Sequence, residues 1–274
     1  MDDKKLSILI IVKGRKNHLL NVLAAIEQST RTPYDLVIVH MNEPEYPIDS
    51  QLPIRQDSLS TTNPLPLAAA RNRAASLAKG TMLLFLDVDC IPAPTCIEDL
   101  LAATGQGMIT MADPLYLPDT VTSINFTAFE RSAAASKARH NIAYGISDQY
   151  ELFWSLGFMV SKQTFEAMGG FDESFTGYGG EDTDFAFTAQ SKQIPLAFSR
   201  ARIYHQPHPS YDPPLNWLED IVTNARTFKG KWGIWPMRGW LQSFESAGYI
   251  SLTDTSIEIQ RLPTTSEVEH AQRL

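Results

Sequence analysis

The chain has 274 residues, 43% of them hydrophobic and 20% charged, a balance that builds an ordinary globular core without disulfide or metal staples. That length suits one large α/β domain or two small ones. A formal net charge of −8 argues against nucleic acid as the main partner, although a local basic cluster could still hold a compact diphosphate.

In chain order, Leu6 to Val12 is a β-branched run of the kind buried on both faces of a parallel sheet. It is too short for a signal peptide or a membrane span, no later run is long enough to cross a membrane, and the expectation is a cytoplasmic protein. Leu19, Leu20, Leu23 and Ile26 then recur at helical spacing, and Leu36 to Val39 is a second strand. Strand, helix and strand with short turns read as a βαβ unit. Residues 41–66 read as loop with one short strand at most. A helix is expected from Leu67 to Ala78, stopped at Gly80, and a third buried strand over Met82 to Leu86.

That strand runs into Asp87-Val88-Asp89, two carboxylates where open α/β sheets bind their ligands. Carboxylates there can chelate a hard cation beside a diphosphate, though two aspartates after a strand are also common in solvated loops. The middle, 113–152, reads as less regular, with an Ala-rich helix near 125–138 and a strand from Phe153 to Val160. Cys90 and Cys96 are too few for a disulfide framework.

Gly177-Tyr178-Gly179-Gly180-Glu181-Asp182 joins a glycine loop to a helix start. Gly179 and Gly180 leave an open floor on which a sugar ring can lie. Asp182 falls in the first helical turn, where the dipole favours the ionised carboxylate that a general base requires. A strand is expected near Ile194–Phe198. His205 and His208 follow it, and either could complete a metal site with an aspartate. Arg15, Arg71 and Arg73 could bind a base edge or a diphosphate. Trp217, Trp232, Trp235 and Trp240 suit an acceptor wall, a packed core or contact with the membrane of a lipid-linked acceptor. The last residues, 251–274, are polar and read as a peripheral tail.

Taken together, these segments resemble known glycosyltransferases over most of residues 6–210. Ile11 to Leu19 is similar to the opening donor-binding segment of the β-1,4-galactosyltransferase family. Arg71-Asn72-Arg73-Ala74 resembles that family's Asn-Arg-Ala and the Ala-Arg-Asn of family 2 glycosyltransferases. Phe85 to Pro92 is similar to a D-V-D-x-I-P metal motif. Ser161-Lys162-Gln163, Gly169-Gly170-Phe171 and Gly177 to Asp182 resemble the galactosyltransferase C-terminal block, the most specific piece.

The resemblance implies a GT-A fold: a single α/β domain with a Rossmann-like, mostly parallel central sheet flanked by helices. Residues 1–112 would be its nucleotide-binding half and 113–250 its acceptor-binding half. It implies a UDP-sugar donor, a carbohydrate or glycoconjugate acceptor, Mn²⁺ or Mg²⁺, and an inverting displacement. Asp89 and His205 would bind the metal, with His208 an open alternative. Asp87 would lie against the ribose or a metal-bound water, and Arg15 and Arg73 against the uridine diphosphate. Asp182 would be the base, Glu181 would grip sugar hydroxyls, and Tyr178 would stack on the acceptor.

Three departures stand against the pattern. Thr176 and Tyr178 replace two tryptophans, Arg202 replaces a methionine ligand, and the anchor and disulfides of the animal enzymes are missing, which suits a bacterial relative, with peripheral contact at the inner face of a membrane left open. Rival readings are a retaining GT-A transferase and a non-catalytic nucleotide-sugar or glycan-binding protein of the same fold.

Overall fold

The computed structural model describes residues 5–62, 65–136 and 142–273. The first half alternates strands and helices as the βαβ pattern predicts. It runs β1 (Leu6–Val12), α1 (Lys16–Ile26), β2 (Asp35–Met41), β3 (Ile54–Leu59), α2 (Leu67–Leu77), β4 (Met82–Leu86), β5 (Cys90–Pro92) and α3 (Cys96–Ala103). The second half is β6 (Ile109–Tyr116), α4 (Phe126–Ser132), β7 (Ala134–Ala135), β8 (Gly145–Ser147), β9 (Gly157–Ser161), α5 (Lys162–Met168), α6 (Glu181–Ser191) and β10 (Leu196–His205). It ends in β11 (Ser210–Tyr211), α7 (Leu218–Trp232), α8 (Arg238–Ser246), β12 (Ile250–Leu252), β13 (Ile257–Ile259), α9 (Thr265–Ala271) and β14 (Gln272–Arg273).

The central sheet has the order β3-β2-β1-β4-β9-β6-β10-β5. Strands β1 to β4 are mutually parallel, β9 is antiparallel to β4 and β6, and β10 runs parallel to β6. The carboxyl ends of six strands therefore share one edge, and the site lies along it. Because successive side chains point to opposite faces, β1 sends Ile8 and Ile10 to a core with α1 and α3, and Leu9 and Ile11 to a core with α2, α5 and α6. The second core is aromatic: Phe171 stacks on Phe185 at 4.3 Å and Phe85 on Phe158 at 4.6 Å. This is a mixed α/β fold of the GT-A kind, in agreement with the expectation.

Several boundaries differ from the sequence reading. Leu20 is 38% exposed, and Val22 fills the buried face of α1 instead. The one short strand allowed within 41–66 is β3, a full six-residue parallel strand. The Ala-rich helix is only α4, because Ala134 and Ala135 leave the helix to pair with β6, and residues 137–138 lie outside those described. Strand β9 begins at Gly157, after a 3₁₀ turn at Tyr150–Leu152. Strand β10 continues past Phe198 to His205.

Residues 251–273 form β13, α9 and β14 with part of β12. Ile257 and Ala271 join a third core with Ile221, Val222, Leu241 and Phe244 of α7 and α8. Among the described residues no helix is long and apolar enough to cross a membrane.

Candidate active site

The Asp-Val-Asp motif is the tight turn from β4 into β5, closed by Cys90 N–H donating to the Asp87 carbonyl at 2.9 Å. Strand β5 then pairs antiparallel with β10, placing Cys90 opposite His205. Gln206 N–H donates to the Asp89 carbonyl at 2.7 Å, so the aspartate and the histidine loop are sewn together through the backbone. The Asp89 carboxylate, 5% exposed, lies 3.6 Å from His205 Nε2 and 3.4 Å from His208 Nε2. All three ligand atoms fall within 4.8 Å of one another.

His208 Nδ1 faces the Pro209 carbonyl at 2.9 Å, and a carbonyl can only accept. Nδ1 therefore carries the hydrogen, which leaves the Nε2 lone pair turned toward a carboxylate, an arrangement that a cation resolves. One carboxylate with two imidazoles could hold a divalent metal ion, and the nitrogen ligands depart from the all-oxygen shell that Mg²⁺ prefers. Arg15, about one-third exposed, also pairs with the Asp89 carboxylate. Burial works to raise Asp89, but His205, Arg15 and His208 together hold it below the usual carboxylate value. Burial and Arg15 push His208 down.

Arg71 turns inward and is only 4% exposed. Its guanidinium donates to Asp87 and to Glu181, each at 3.1 Å, with the Phe171 ring 5.3 Å away. It thus joins the Asp87–Asp89 turn to the glycine loop. Asn72, its neighbour, donates to the Phe171 carbonyl and accepts from Phe171 N–H, both at 2.8 Å. Burial raises Asp87, against the pull of Arg71. Asp182 is raised to about 7, first by burial and then by the neighbouring charge of Glu181. Its Oδ1 accepts from Thr183 N–H at 2.6 Å at the first turn of α6.

Tyr178 stands in the glycine loop before α6. Burial pushes its hydroxyl up, and the charges that act on it are Glu181, Asp182, Asp89 and Arg15. Its ring stacks with Trp217 at 5.5 Å and with Trp240 at 5.9 Å. The other two tryptophans in this region have separate work. Trp232 Nε1 donates to Asp184 at 2.7 Å, and Trp235 Nε1 donates to the Thr253 carbonyl at 2.8 Å.

At the ends of β1, β2 and β3 an open cleft of about 580 Å³ is lined by Lys13, Asn42, Glu43, Ser58, Ser60 and Thr61. Asn42 adopts a left-handed backbone (φ 54°), which asparagine tolerates, and its side chain accepts from Thr61 N–H at 2.7 Å. Arg73 is half exposed and pairs with Asp57 of β3 at 2.6 Å.

The sequence reading did not single out Asn42, Glu43, Ser58, Ser60 or Asp184. The first two could have been found, since they stand at the carboxyl end of a buried strand. Asp184 could not, because its 1% exposure comes from α7, to which only tertiary folding brings it.

Comparison with known proteins agrees with this geometry. Residues 54–208 match the family described as "Glycosyltransferase like family 2". The chain is 25% identical over 254 residues to two proteins named validoxylamine A glucosyltransferase, from Streptomyces hygroscopicus subsp. jinggangensis (strain 5008) and subsp. limoneus. Each match covers 76% of this chain, and the chain spans only 58% and 54% of those relatives. The crystal structure of S. aureus TarS 1–349 aligns with a TM-score of 0.55 at 13% identity, over 82% of this chain and 65% of that one. The same protein in complex with UDP-GlcNAc gives 0.55 at 14% identity, over 82% and 66%. None of these relatives is a β-1,4-galactosyltransferase, so the family 2 side of the expected resemblance is the one supported. With more than half of its length matched, and the site at the edge where the family 2 segment ends, the chain belongs to the glycosyltransferase-like family 2.

Proposed function

We propose that the protein transfers a hexosyl or N-acetylhexosaminyl group from a UDP-sugar to an acceptor hydroxyl, with inversion at the anomeric carbon. The observation that carries this reading is the continuous run of His208, His205, Asp89, Asp87, Arg71, Glu181 and Asp182 along the carboxyl edge of the sheet. The names of the relatives, glucosyltransferases in one case and a UDP-GlcNAc complex in the other, support a UDP-sugar donor.

In this reading residues 1–112 hold the nucleotide and 113–250 face the acceptor. The nucleoside occupies the cleft beside Asn42 and Glu43, and Arg15 faces the diphosphate. Arg73 pairs with Asp57, next to the Ser58 that lines that cleft, and Gly179 and Gly180 floor the sugar site. Asp89, His205 and His208 would hold Mn²⁺, or Mg²⁺ in its place. A bound ion would supply charge neutralisation at the departing diphosphate.

Asp182 takes the proton of the acceptor hydroxyl as that oxygen attacks the anomeric carbon. The bond from the anomeric carbon to the diphosphate oxygen breaks on the opposite face, and UDP leaves with the electron pair. Burial raises Asp182 to about 7, and the charge of Glu181, held by Arg71, adds to that rise. Tyr178 borders the acceptor.

Thermal unfolding with UDP, GDP, CDP and dTDP, each with Mn²⁺ or EDTA, tests the donor assignment. A ligand at a hundred times its dissociation constant stabilises by about 2.7 kcal/mol, which raises the midpoint by roughly 5 °C. A shift for UDP that EDTA abolishes is expected. An equal response to all four, or to none, contradicts the reading.

A further inference from the structure

The loop before α6 is built from backbone that cannot hold itself. Gly177, Gly179 and Gly180 have φ of 71°, 90° and 91°, a left-handed region where side chains are strained and glycine is at its most mobile. Something outside the loop must fix it if Asp182 is to stand at one position. That something is α7, whose inward face carries Asp220 and Asn224 one turn apart.

Asn224 is 0% exposed among apolar neighbours of α7, where an unpaired amide would be costly. Its Nδ2 donates to the carbonyls of Thr176 and Gly179, each at 2.8 Å, and more weakly to that of Tyr178 at 3.3 Å. Its Oδ1 accepts from Thr176 N–H at 3.2 Å. Asp220 accepts from Tyr178 N–H at 3.2 Å, and it sits where a Cβ on Gly177 would be, 2.2 Å from that point. Five backbone groups of residues 176–179 are thereby satisfied by two side chains of one helix.

The far end of α7 holds the base helix itself. Lys231 Nζ donates to Asp184 at 2.9 Å, and Trp232 Nε1 donates to the same carboxylate, two residues beyond Asp182.

We propose that Asn224 and Asp220 are positioning residues that lock the 176–180 loop, and through it Asp182, in the geometry needed for transfer. The inference rests on the reading of Asp182 as the base. Neither side chain touches the charged groups of the site, so neither binds donor nor moves a proton. Their effect is on the rate of the chemical step and not on UDP affinity, because the nucleoside cleft and the Asp89 turn belong to other elements.

The test measures UDP release from UDP-glucose and from UDP-GlcNAc, UDP affinity by calorimetry with Mn²⁺, and hydrogen exchange across the loop. Asn224→Ala and Asp220→Ala should each lower kcat by at least about tenfold while UDP affinity stays within about twofold. Amide exchange should accelerate at Thr176 in the first variant and at Tyr178 in the second. Asp220→Asn keeps the accepting oxygen and should recover most of the rate that Asp220→Ala loses. If Asn224→Ala does not fold, the two Asp220 variants carry the test.

Folded variants with unchanged kcat, or a loss shared equally with UDP affinity, overturn the clamp. So does an Asp220→Asn variant as slow as Asp220→Ala. A wild-type protein that neither binds UDP nor releases it from either sugar nucleotide overturns the transfer reading itself, a result distinguishable from the others.

Discussion

Asp182 is a carboxyl that burial and the charge of Glu181 raise from 3.8 to about 7. A base works only when ionised, so turnover should climb as pH rises through about 7 and level off above it. The same shift acts on folding with the opposite sense. A carboxyl raised in the folded state favours its protonated form, so its effect on stability is neutral below pH 4 and becomes a cost as pH rises toward 7. A pH–rate profile of UDP release checks the first statement, and a rate that falls between pH 6 and 8 contradicts it.

Arg71 presents a different case. Replacing it by Met leaves the buried Glu181 and the half-buried Asp87 without their cation, and removing the partner of a buried charge costs about 3–5 kcal/mol. Denaturant unfolding of Arg71→Met should show a loss of that size, where a ligand-facing arginine would show almost none. The chemistry-bearing types were legible in the sequence: Asp87 and Asp89 follow a buried strand, and Asp182 opens a helix. The inward turn of Arg71 was not, because Arg-Asn-Arg at the start of a helix has the same spacing whether its first guanidinium faces a ligand or two internal carboxylates.

Among the elements, β10 does most to assemble the site. Its pairing with β5 brings His205 opposite Cys90, and the turn after it delivers His208 to the same carboxylate. Sequence reasoning ended this strand near Phe198 because Arg200 and Arg202 interrupt the apolar run. In the fold those two residues face outward while Ala201 and Ile203 fill the core, an alternation that a shorter reading hides.

Since Asp89 faces both imidazoles, His205→Ala and His208→Ala should each weaken Mn²⁺ by at least about tenfold. Calorimetric titration with Mn²⁺ checks this, and wild-type affinity in either variant removes that histidine from the ligand set. The α7 segment was readable only as a tryptophan-bearing stretch. Its polar residues gain their meaning from the loop they face, and a linear sequence does not contain that distance.

At the scale of the whole molecule, the parallel strands β1, β2 and β4 were legible because fully buried strands read as unbroken apolar runs. The antiparallel insertion of β9 and the edge placement of β5 were not, since a three-residue strand leaves no periodicity. Two cores sandwich the sheet, and a third, formed by α7, α8 and the C-terminal elements, braces the glycine loop through Tyr178, with Trp217 and Trp240 packed against it. The charged run therefore sits where three packed bodies meet, and its parts are held by different ones.

The central claim is that this run performs sugar transfer with Asp182 as its base. The most direct measurement is UDP release from UDP-glucose and UDP-GlcNAc by the wild-type protein and by Asp182→Asn, with Mn²⁺ present and UDP binding followed by calorimetry in parallel. The expected result is release by the wild type, a loss of at least about a hundredfold in the variant, and UDP affinity nearly unchanged. An Asp182→Asn protein that releases UDP at the wild-type rate, or a wild type that binds UDP and releases none from either donor, contradicts it.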